Sequence, residues 1–356
     1  MAAQESNIQQ LLQLAIEKKA SDLHLIVGIA PMLRMDGELE PVPHEPMMTP
    51  SSIELMLKDI LTAEQHEQLI VNKELDFSLN FSEKARFRVN AYTQKRSLAA
   101  AFRAIPISIP QIDELGLPPI MHTFTGLKQG LVLVTGPTGH GKSTSLAAML
   151  DEINTNRANH IVTIEDPIEF ILNPRQSIVS QREMNNDTHS WSVALRSVLR
   201  EDPDVVLVGE MRDYETIAAA LTVAETGHLV FATLHTNSAS QTVDRVVDVF
   251  PSEQQDQVKL QLSNVLEAVI SQRLIPATTG GRVVAYELML ATTAIRTAIR
   301  EGKTHQIDSI IQTSSESGMN TLEASLAQLV RDGKVSIETA KSFAIRPEQL
   351  SRLIHR

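Results

Sequence analysis

Cysteine is absent from this chain of 356 residues. Disulfide bonds, cysteine-based zinc sites, iron–sulfur clusters and a cysteine nucleophile are therefore excluded. Long apolar runs are absent too, since the most apolar stretches, such as 130–135 and 205–209, are far too short to span a bilayer. The N-terminal residues, among them Gln4, Glu5 and Asn7, do not form a basic segment followed by an apolar one. We therefore expect no signal peptide and a cytoplasmic location.

A basic excess is also lacking. The chain has 32 Lys and Arg residues against 43 Asp and Glu residues, which gives a formal net charge of −11. A dedicated nucleic-acid-binding protein needs a basic face to neutralise phosphates, so we expect no nucleic-acid partner, although a local basic patch is compatible with an acidic total. The 42% hydrophobic and 21% charged residues are typical of a globular protein, and the length suggests two domains.

Residues 1–105 have the pattern of a compact α+β domain. Apolar residues at helical spacing, alternating apolar and polar residues, and an Asp-Gly pair that suits a tight turn indicate its elements. The predicted elements are a helix over 7–20, a hairpin over 32–39 that turns at Asp36 and Gly37, a helix over 52–71, and strands over 85–93 and 97–105.

Four prolines, the first of them Pro106, indicate a linker over 106–119. Over 120–356 the pattern changes to short apolar strands that alternate with helical segments, which predicts an α/β domain with a parallel sheet covered on both faces. A helical tail with an apolar stripe at Leu322, Leu326 and Leu329 follows. The predicted strands of this domain span 131–135, 161–165, 205–208, 229–234 and 283–290.

A phosphate-binding loop is the clearest motif. The pattern G-x-x-x-x-G-K-[ST] lies between a predicted strand and a predicted helix. Its residues are Gly136, Pro137, Thr138, Gly139, His140, Gly141, Lys142 and Ser143. The glycines let successive N–H groups point at phosphates, and we expect Lys142 to reach the β- and γ-phosphates and Ser143 to bind Mg²⁺. A glycine-rich turn that binds nothing is the alternative, and the strand–loop–helix context argues against it.

Acidic residues follow two of the predicted strands. Glu165 ends the strand over 161–165, with Glu169 shortly after it, and Glu210 follows the strand over 205–208. Ligands of an open α/β sheet bind at the carboxyl ends of its strands. A carboxylate there can hold a magnesium-bound water or polarise the attacking water. The alternative is that these carboxylates only cap or solvate loops.

Two histidines, His228 and His235, bracket the predicted strand over 229–234. His235 follows the carboxyl end of that strand, at the edge where we expect the phosphate loop, whereas His228 precedes its amino end. Thr233, His235 and Thr236 could sense the γ-phosphate. Spacing alone does not decide between that role and a purely structural histidine.

Together these segments resemble one family of motors. They are similar to the Walker A motif, Asp box, Walker B motif and His box of the type II/IV secretion ATPases, and within them to the PilT-type retraction ATPases of type IV pili. The segments are the phosphate loop, 164–170, 200–213 and 225–236, and the resemblance extends to 86–91 and 270–274.

The resemblance implies a PAS-like N-terminal domain joined to a RecA-like ATPase domain, six copies in a ring, and ATP with Mg²⁺ as cofactors. It implies a place at the inner-membrane base of the pilus machine, with the platform protein and a paralogous retraction ATPase as partners. The matching site residues are Lys142, Ser143 and Thr144 in the loop, Glu165 and Glu169 in the Asp box, Glu210 in Walker B, and His228 and His235 in the His box. Among these we assign Glu210 to the hydrolytic water.

Arginines of the first domain could complete the site. The resemblance implies that arginines from this region reach nucleotide across a subunit interface, where a guanidinium is suited to phosphate. The candidates are Arg88, Arg96 and Arg103, with a solvated strand face as the alternative.

Two departures from the family pattern stand out. His140 occupies a position where Ser is common, and we expect its side chain to point away from the phosphates. In the segment 294–301, Thr297 and Ala298 stand where the retraction-associated motif has Asn and Leu. Arg296 and Arg300, which the motif retains, share one helical face.

Four other functions are alternatives to pilus retraction. Pilus-assembly and type II secretion ATPases usually have a longer N-terminal region and a four-cysteine zinc site, and a chain without cysteine cannot form that site. A PilU-like accessory retraction ATPase fits the same motifs. A nucleotide-gated scaffold that hardly hydrolyses ATP is disfavoured by the complete carboxylate motifs, and a DNA-translocating motor by the acidic charge. We therefore expect a hexameric ATP-hydrolysing motor for type IV pilus retraction, with no zinc site.

Overall fold

The computed structural model describes residues 7–35, 37–82, 85–105 and 108–355. The chain divides into two compact units, Met1–Ser108 with Glu169–Ile171, and Ile109–Ile168 with Leu172–Arg356. Three sequence expectations fall at least partly outside the described residues: the absence of a signal peptide, which involves Gln4 and Glu5, the turn at Asp36, and the start of the linker at Pro106.

The first unit contains a six-stranded antiparallel sheet with three helices. Its strands follow the order β3-β2-β1-β6-β5-β4. The elements are α1 (Ile8–Glu17), β1 (Asp22–Leu25), β2 (Met32–Met35), β3 (Glu38–Pro41), α2 (Pro50–Lys58), α3 (Ala63–Asn72), β4 (Glu74–Ser82), β5 (Ala85–Gln94) and β6 (Ser97–Ile105).

Strand β5 has the alternating burial that its apolar and polar residues predict. Phe87, Val89 and Ala91 are buried in the apolar core, whereas the residues between them are half-buried. The prediction of one helix over 52–71 was wrong, because two helices occupy this stretch. Thr62 interrupts it: its hydroxyl accepts from the Gln65 amide at 3.2 Å and its own amide donates to the Gln65 side chain at 3.1 Å, so α3 begins there.

The second unit is built on a seven-stranded sheet. Its order is β13-β12-β7-β11-β10-β8-β9, and all neighbouring pairs are parallel except β12 and β13. The strands are β7 (Gly130–Thr135), β8 (His160–Glu165), β9 (Ile178–Glu183), β10 (Val205–Val208), β11 (Leu229–Leu234), β12 (Leu266–Pro276) and β13 (Arg282–Leu290). Strands β9 and β12 were not among those predicted.

Helices cover both faces of this sheet. They are α4 (Met121–Thr125), α5 (Lys142–Asn156), α6 (Trp191–Val198), α7 (Tyr214–Glu225), α8 (Ala239–Asp248), α9 (Ser252–Val265), α10 (Thr293–Arg300), α11 (Ile307–Thr313), α12 (Leu322–Arg331), α13 (Ile337–Phe343) and α14 (Pro347–Ile354), with 3₁₀ turns at Thr304–Gln306 and Ser315–Ser317. Along β7, Leu131 and Leu133 enter one apolar core and Val132 and Val134 another, so both faces are buried, as predicted.

The segment 109–119 packs into the second unit. Ile112 and Leu117 are buried in the core that contains Val132. His122 lies between the carboxylates of Asp113 and Glu152, at 3.0 and 2.7 Å. The role of 106–119 as a linker stays a prediction. Within the described ranges, no helix has both the length and the apolar character needed to cross a membrane.

Candidate nucleotide site

Four parallel strands bring the phosphate loop, Glu165, Glu210 and His235 to one edge of the sheet. Strands β7, β8, β10 and β11 run in the same direction, so their carboxyl ends lie along one edge of the sheet. The phosphate loop follows β7 and leads directly into α5, whose first residues are Lys142, Ser143 and Thr144. The amino end of α5 therefore presents its unpaired N–H groups at this edge, where an anion is favoured.

Glycine is required where the loop leaves β7. Gly136 has a φ of 138°, and a Cβ atom there would lie 2.3 Å from the Gln272 carbonyl oxygen on β12. Gly141 has a φ of 82° just before α5. Side chains at these two positions would strain the backbone or push the loop away from β12, so the glycines allow the tight curve around a phosphate.

The amine of Lys142 lies inside the loop. Its side chain is buried, and Nζ donates hydrogen bonds to the carbonyl oxygens of Gly136 at 2.8 Å and Pro137 at 3.0 Å. The same amine lies 3.5 Å from Nδ1 of His235. A positive charge is thus held within the loop by its carbonyl oxygens, and binding of a polyphosphate requires such a charge. Ser143 and Thr144 are half-buried beside it.

Glu210 is linked to the loop through His235. One Glu210 carboxylate oxygen lies 3.1 Å from His235 Nε2, and the other lies 2.7 Å from a nitrogen of Arg212. The opposite ring nitrogen of His235 lies 3.3 Å from the hydroxyl of Thr138. Burial by itself would raise the pKa of Glu210, but Arg212 and His235 outweigh it and hold that pKa below its ordinary value. Glu210 is therefore ionised at neutral pH.

Hydrogen bonds join the carboxyl ends of three neighbouring strands. The Gly209 amide donates to the Ile164 carbonyl at 2.8 Å, and the Met211 amide donates to the Thr233 carbonyl at 3.0 Å. The Thr233 hydroxyl also donates to the Gly209 carbonyl. A Cβ atom on Gly209 would come within 3.1 Å of the Ile164 oxygen. These contacts tie the ends of β8, β10 and β11 together and orient Glu210.

The two Asp-box acids have different positions. Glu165 ends β8, and one of its carboxylate oxygens accepts from the Thr163 hydroxyl at 2.7 Å and from Gln181 at 3.2 Å. Glu169 belongs to the first compact unit. A role for Glu169 at the nucleotide stays a prediction.

The structure does not bring the two histidines together. His228 precedes β11, at the edge opposite the phosphate loop, and its Nδ1 lies 3.1 Å from the Val223 carbonyl and 3.0 Å from the Thr226 hydroxyl. Within one chain it joins the end of α7 to the start of β11. A role for His228 at the nucleotide stays a prediction.

The three arginines of the first unit have distinct surroundings. Arg103 on β6 forms an ion pair with Asp22 at 3.0 Å. Arg88 on β5 is half-buried, and Arg96 is exposed in the turn between β5 and β6, with a φ of 65°. Contact of any of them with nucleotide stays a prediction.

Three residues around the site were missed. Gln272 is buried on β12, where its amide donates to the His140 carbonyl at 2.7 Å and its oxygen accepts from Ser145 at 2.9 Å. Arg212 pairs with Glu210, and the buried Glu183 accepts from the Ile168 amide at 3.0 Å and supports the loop after β8. Gln272 and Arg212 stood in the segments that carried the family resemblance, but nothing local assigned them a contact.

A model of the type II/IV secretion system protein family matches residues 2–342. The chain belongs to this family. It is 49% identical to the type IV pilus retraction ATPase PilT of Pseudomonas aeruginosa over 342 residues, which cover 96% of this chain and 99% of that protein. It is 46% identical to a twitching motility protein of Neisseria gonorrhoeae over 346 residues, 97% of this chain and 92% of that protein.

A solved structure of this family has the same fold. The crystal structure of the pilus retraction motor PilT with bound ADP superposes with a TM-score of 0.92 at 45% identity, and the match covers 98% of this chain and 100% of that one. The predicted resemblance and the predicted fold, a RecA-like α/β domain with a smaller N-terminal α+β domain, are confirmed.

The residues of the site fit a nucleotide with Mg²⁺. Among the described residues no group of three or more His, Asp and Glu side chains could hold a metal ion by itself. Mg²⁺ is usually bound by one or two protein oxygens together with phosphate oxygens and water. The Ser143 hydroxyl and the Glu210 carboxylate are such oxygens, at the edge where the loop would hold the phosphates.

Proposed function

We propose that this protein is a Mg²⁺-dependent ATPase that drives retraction of type IV pili. One arrangement carries the proposal: His235 links the ionised Glu210 to Lys142 of the phosphate loop. This arrangement supports a role for Glu210 as the base for the hydrolytic water, beside a loop that would hold the phosphates. The high identity to a retraction ATPase over almost the whole of both chains supports retraction as the work performed.

Each residue has a chemical task in this proposal. The loop amides and Lys142 bind and neutralise the phosphates, and Ser143 would hold Mg²⁺, which neutralises charge on the transferred phosphoryl group. Glu210 would accept a hydrogen bond from the attacking water and would help to hold Mg²⁺ through a bound water. Glu165 lies on the neighbouring strand end, where it supports that water. His235 contacts both Glu210 and the phosphate loop, and so holds the Glu210 carboxylate in position beside the loop.

We also propose the assembly and the place of action. Six copies form a ring, Arg88, Arg96 and Arg103 supply candidates for a contact with a neighbour's nucleotide, and Glu169 and His228 act in the assembled ring. Domains 1–105 and 120–356 then move through the linker 106–119. The ring acts in the cytoplasm at the inner-membrane base of the pilus, on its platform protein, together with a paralogous retraction ATPase where one is present. The family resemblance supports these proposals.

Hydrolysis is tested with purified variants. Lys142→Ala removes the buried charge of the loop and Glu210→Ala removes the base, so we expect each to lower Mg²⁺-dependent phosphate release by about 100-fold or more. Lys128→Ala and Glu253→Ala remove the same side chains at exposed positions and serve as matched controls. Near-normal turnover by both site variants would contradict the proposal.

Retraction is tested in cells by deleting the gene and restoring it as wild type or Lys142→Ala. We expect the deletion to cause excess surface pili without twitching, and only the wild-type gene to reverse both. Loss of pili would instead indicate an assembly ATPase. A defect that appears only when a second retraction gene is also removed would indicate an accessory ATPase.

A further inference from the structure

Strand β12 extends beyond the neighbour with which it pairs. Its parallel pairing with β7 ends where Ser271 faces Thr135, but β12 continues to Pro276. Beyond Ser271 the phosphate loop takes the place of a neighbouring strand. Backbone N–H groups on this side need another acceptor. The Leu274 amide finds one in Nδ1 of His140, at 2.9 Å.

Further contacts tie the same part of the loop to the β12–β13 hairpin. The Gln272 side chain donates to the His140 carbonyl at 2.7 Å, and Arg282 on β13 donates to the Gly139 carbonyl at 3.3 Å. In these three hydrogen bonds the loop always accepts. The His140 ring is the side-chain acceptor, and the other two acceptors are backbone carbonyl oxygens. His140 is therefore joined to β12 by both its backbone and its side chain.

We propose that His140 is a positioning residue that holds the phosphate loop in its nucleotide-binding shape by accepting the Leu274 amide hydrogen. The ring faces β12, so it acts on the nucleotide through the loop. The inference rests on the proposed function only in assigning a nucleotide to this loop.

The hydrogen bond requires a neutral ring. A backbone amide can only donate, so Nδ1 of His140 must carry no proton, and an imidazolium would present a second donor to the Leu274 amide. The charged groups around the ring are Lys142 on α5, Arg273 on β12 and Arg282 on β13. Burial, and then these cations, hold the pKa of His140 below its ordinary value. The bond is therefore intact at neutral pH and is lost in acid.

Two substitutions separate the ring's hydrogen bond from its bulk. The side-chain oxygen of Asn occupies the place of Nδ1, whereas the amide of Gln lies one bond further out. We expect His140→Gln to weaken MgADP binding, measured by isothermal titration calorimetry, by about threefold to tenfold. His140→Asn should remain within about twofold of the wild type. Equal weakening by both variants, or by neither, would overturn the proposal.

Acid provides a second test of the same hydrogen bond. As the pH is lowered below the ordinary range of histidine titration, the wild type should lose more MgADP affinity than His140→Asn, because only the wild type carries a ring here that can be protonated. Effects of other titrating groups are common to both proteins and cancel in the comparison. Parallel pH profiles of the two proteins would count against the proposal.

Hydrogen exchange measures the bond without nucleotide. In the full-length protein, the peptide that contains the Leu274 amide should exchange faster in His140→Gln than in the wild type, and His140→Asn should protect it. Unchanged exchange in His140→Gln would overturn the inference even if ATP is hydrolysed normally. The opposite outcome is a wild type that protects the Leu274 amide through His140 but hardly hydrolyses ATP. That outcome would contradict the proposed function and leave the role of His140 intact.

Discussion

Glu287 is an ionisable side chain buried in the second unit, only 4% exposed. Its carboxylate accepts a hydrogen bond from the Ala239 amide at 2.7 Å, where α8 begins four residues after His235. Burial, reinforced by Asp308 and Glu323, raises the pKa of Glu287 to about 7, although the Ala239 amide and Arg346 act in the opposite direction. A carboxyl group that accepts a hydrogen bond from the first residue of α8 thus titrates near neutral pH.

This pKa predicts a pH dependence of stability. The folded protein holds the Glu287 proton more tightly than the unfolded chain does, so the free energy of unfolding falls as pH rises from about 4.5 to 7, by about 3 kcal/mol. Glu287→Gln stays neutral and can still accept from Ala239. We expect it to be more stable than the wild type at pH 8 in urea denaturation, with the advantage disappearing towards pH 5.

The exposed Glu253→Gln is the matched control for this experiment. It leaves Glu287 in place, so it should show the same fall in stability between pH 5 and pH 8 as the wild type. Parallel curves for Glu287→Gln and the wild type would contradict the prediction.

Some residues of the site could be predicted from the sequence, and others could not. Lys142 and Ser143 belong to a local motif whose spacing reflects one turn and one helix, so they could be identified without a structure. Gln272 meets the loop only because β12 pairs with β7, about 130 residues away in the chain. Arg212 meets Glu210 through the local backbone path after β10, which no apolar pattern reports.

At the scale of elements, helix α10 contains two arginines with different roles. Arg296 donates to the carbonyl oxygens of Ser263 at 2.8 Å and Asn264 at 2.9 Å, close to the end of α9, and pairs with Glu267 at 2.9 Å. Arg300 is exposed. Arg296 therefore satisfies the last carbonyls of α9, whereas Arg300 is open to a partner.

We expect Arg296→Ala to lower the free energy of unfolding by about 1.5 to 3 kcal/mol, since charged hydrogen bonds are lost. Arg300→Ala should change it by less than about 0.5 kcal/mol. Urea denaturation of the two variants measures this difference. If Arg300 contacts the retraction machinery, its variant should impair twitching while ATPase activity and stability persist. Equal stability losses would show that the two arginines play similar structural roles.

Local sequence signals explain why some elements were predicted and others were not. The wrong single helix over 52–71 followed from apolar spacing that continues through 59–62, where capping by Thr62 is the stronger local signal. Strand β12 follows α9 without a turn, so no glycine or proline marks its start. Predicted strands such as β10 and β11 were found because buried parallel strands are almost wholly apolar.

At the scale of the whole molecule, some residues of the proposed site contact each other within one chain, whereas others would need a neighbouring subunit. Lys142, Glu210 and His235 are joined within one chain. Arg88 and Arg96 have no ion pair with the described residues that accounts for their charge. The phosphates of a nucleotide bound to a neighbouring subunit would provide such a partner. We therefore propose that the site is completed between subunits.

This proposal predicts how activity depends on assembly. Six chains of 39.3 kDa have a mass of about 236 kDa, and light scattering after gel filtration should detect this species with MgATP present. ATP turnover per chain should rise with protein concentration as rings form, because a lone chain lacks the neighbour's arginine. Glu210→Ala, which keeps the loop, should assemble with ATP without hydrolysing it. A single chain that hydrolyses ATP at full rate when diluted would show that each site is complete by itself, and the arginines of the first unit would then need another role.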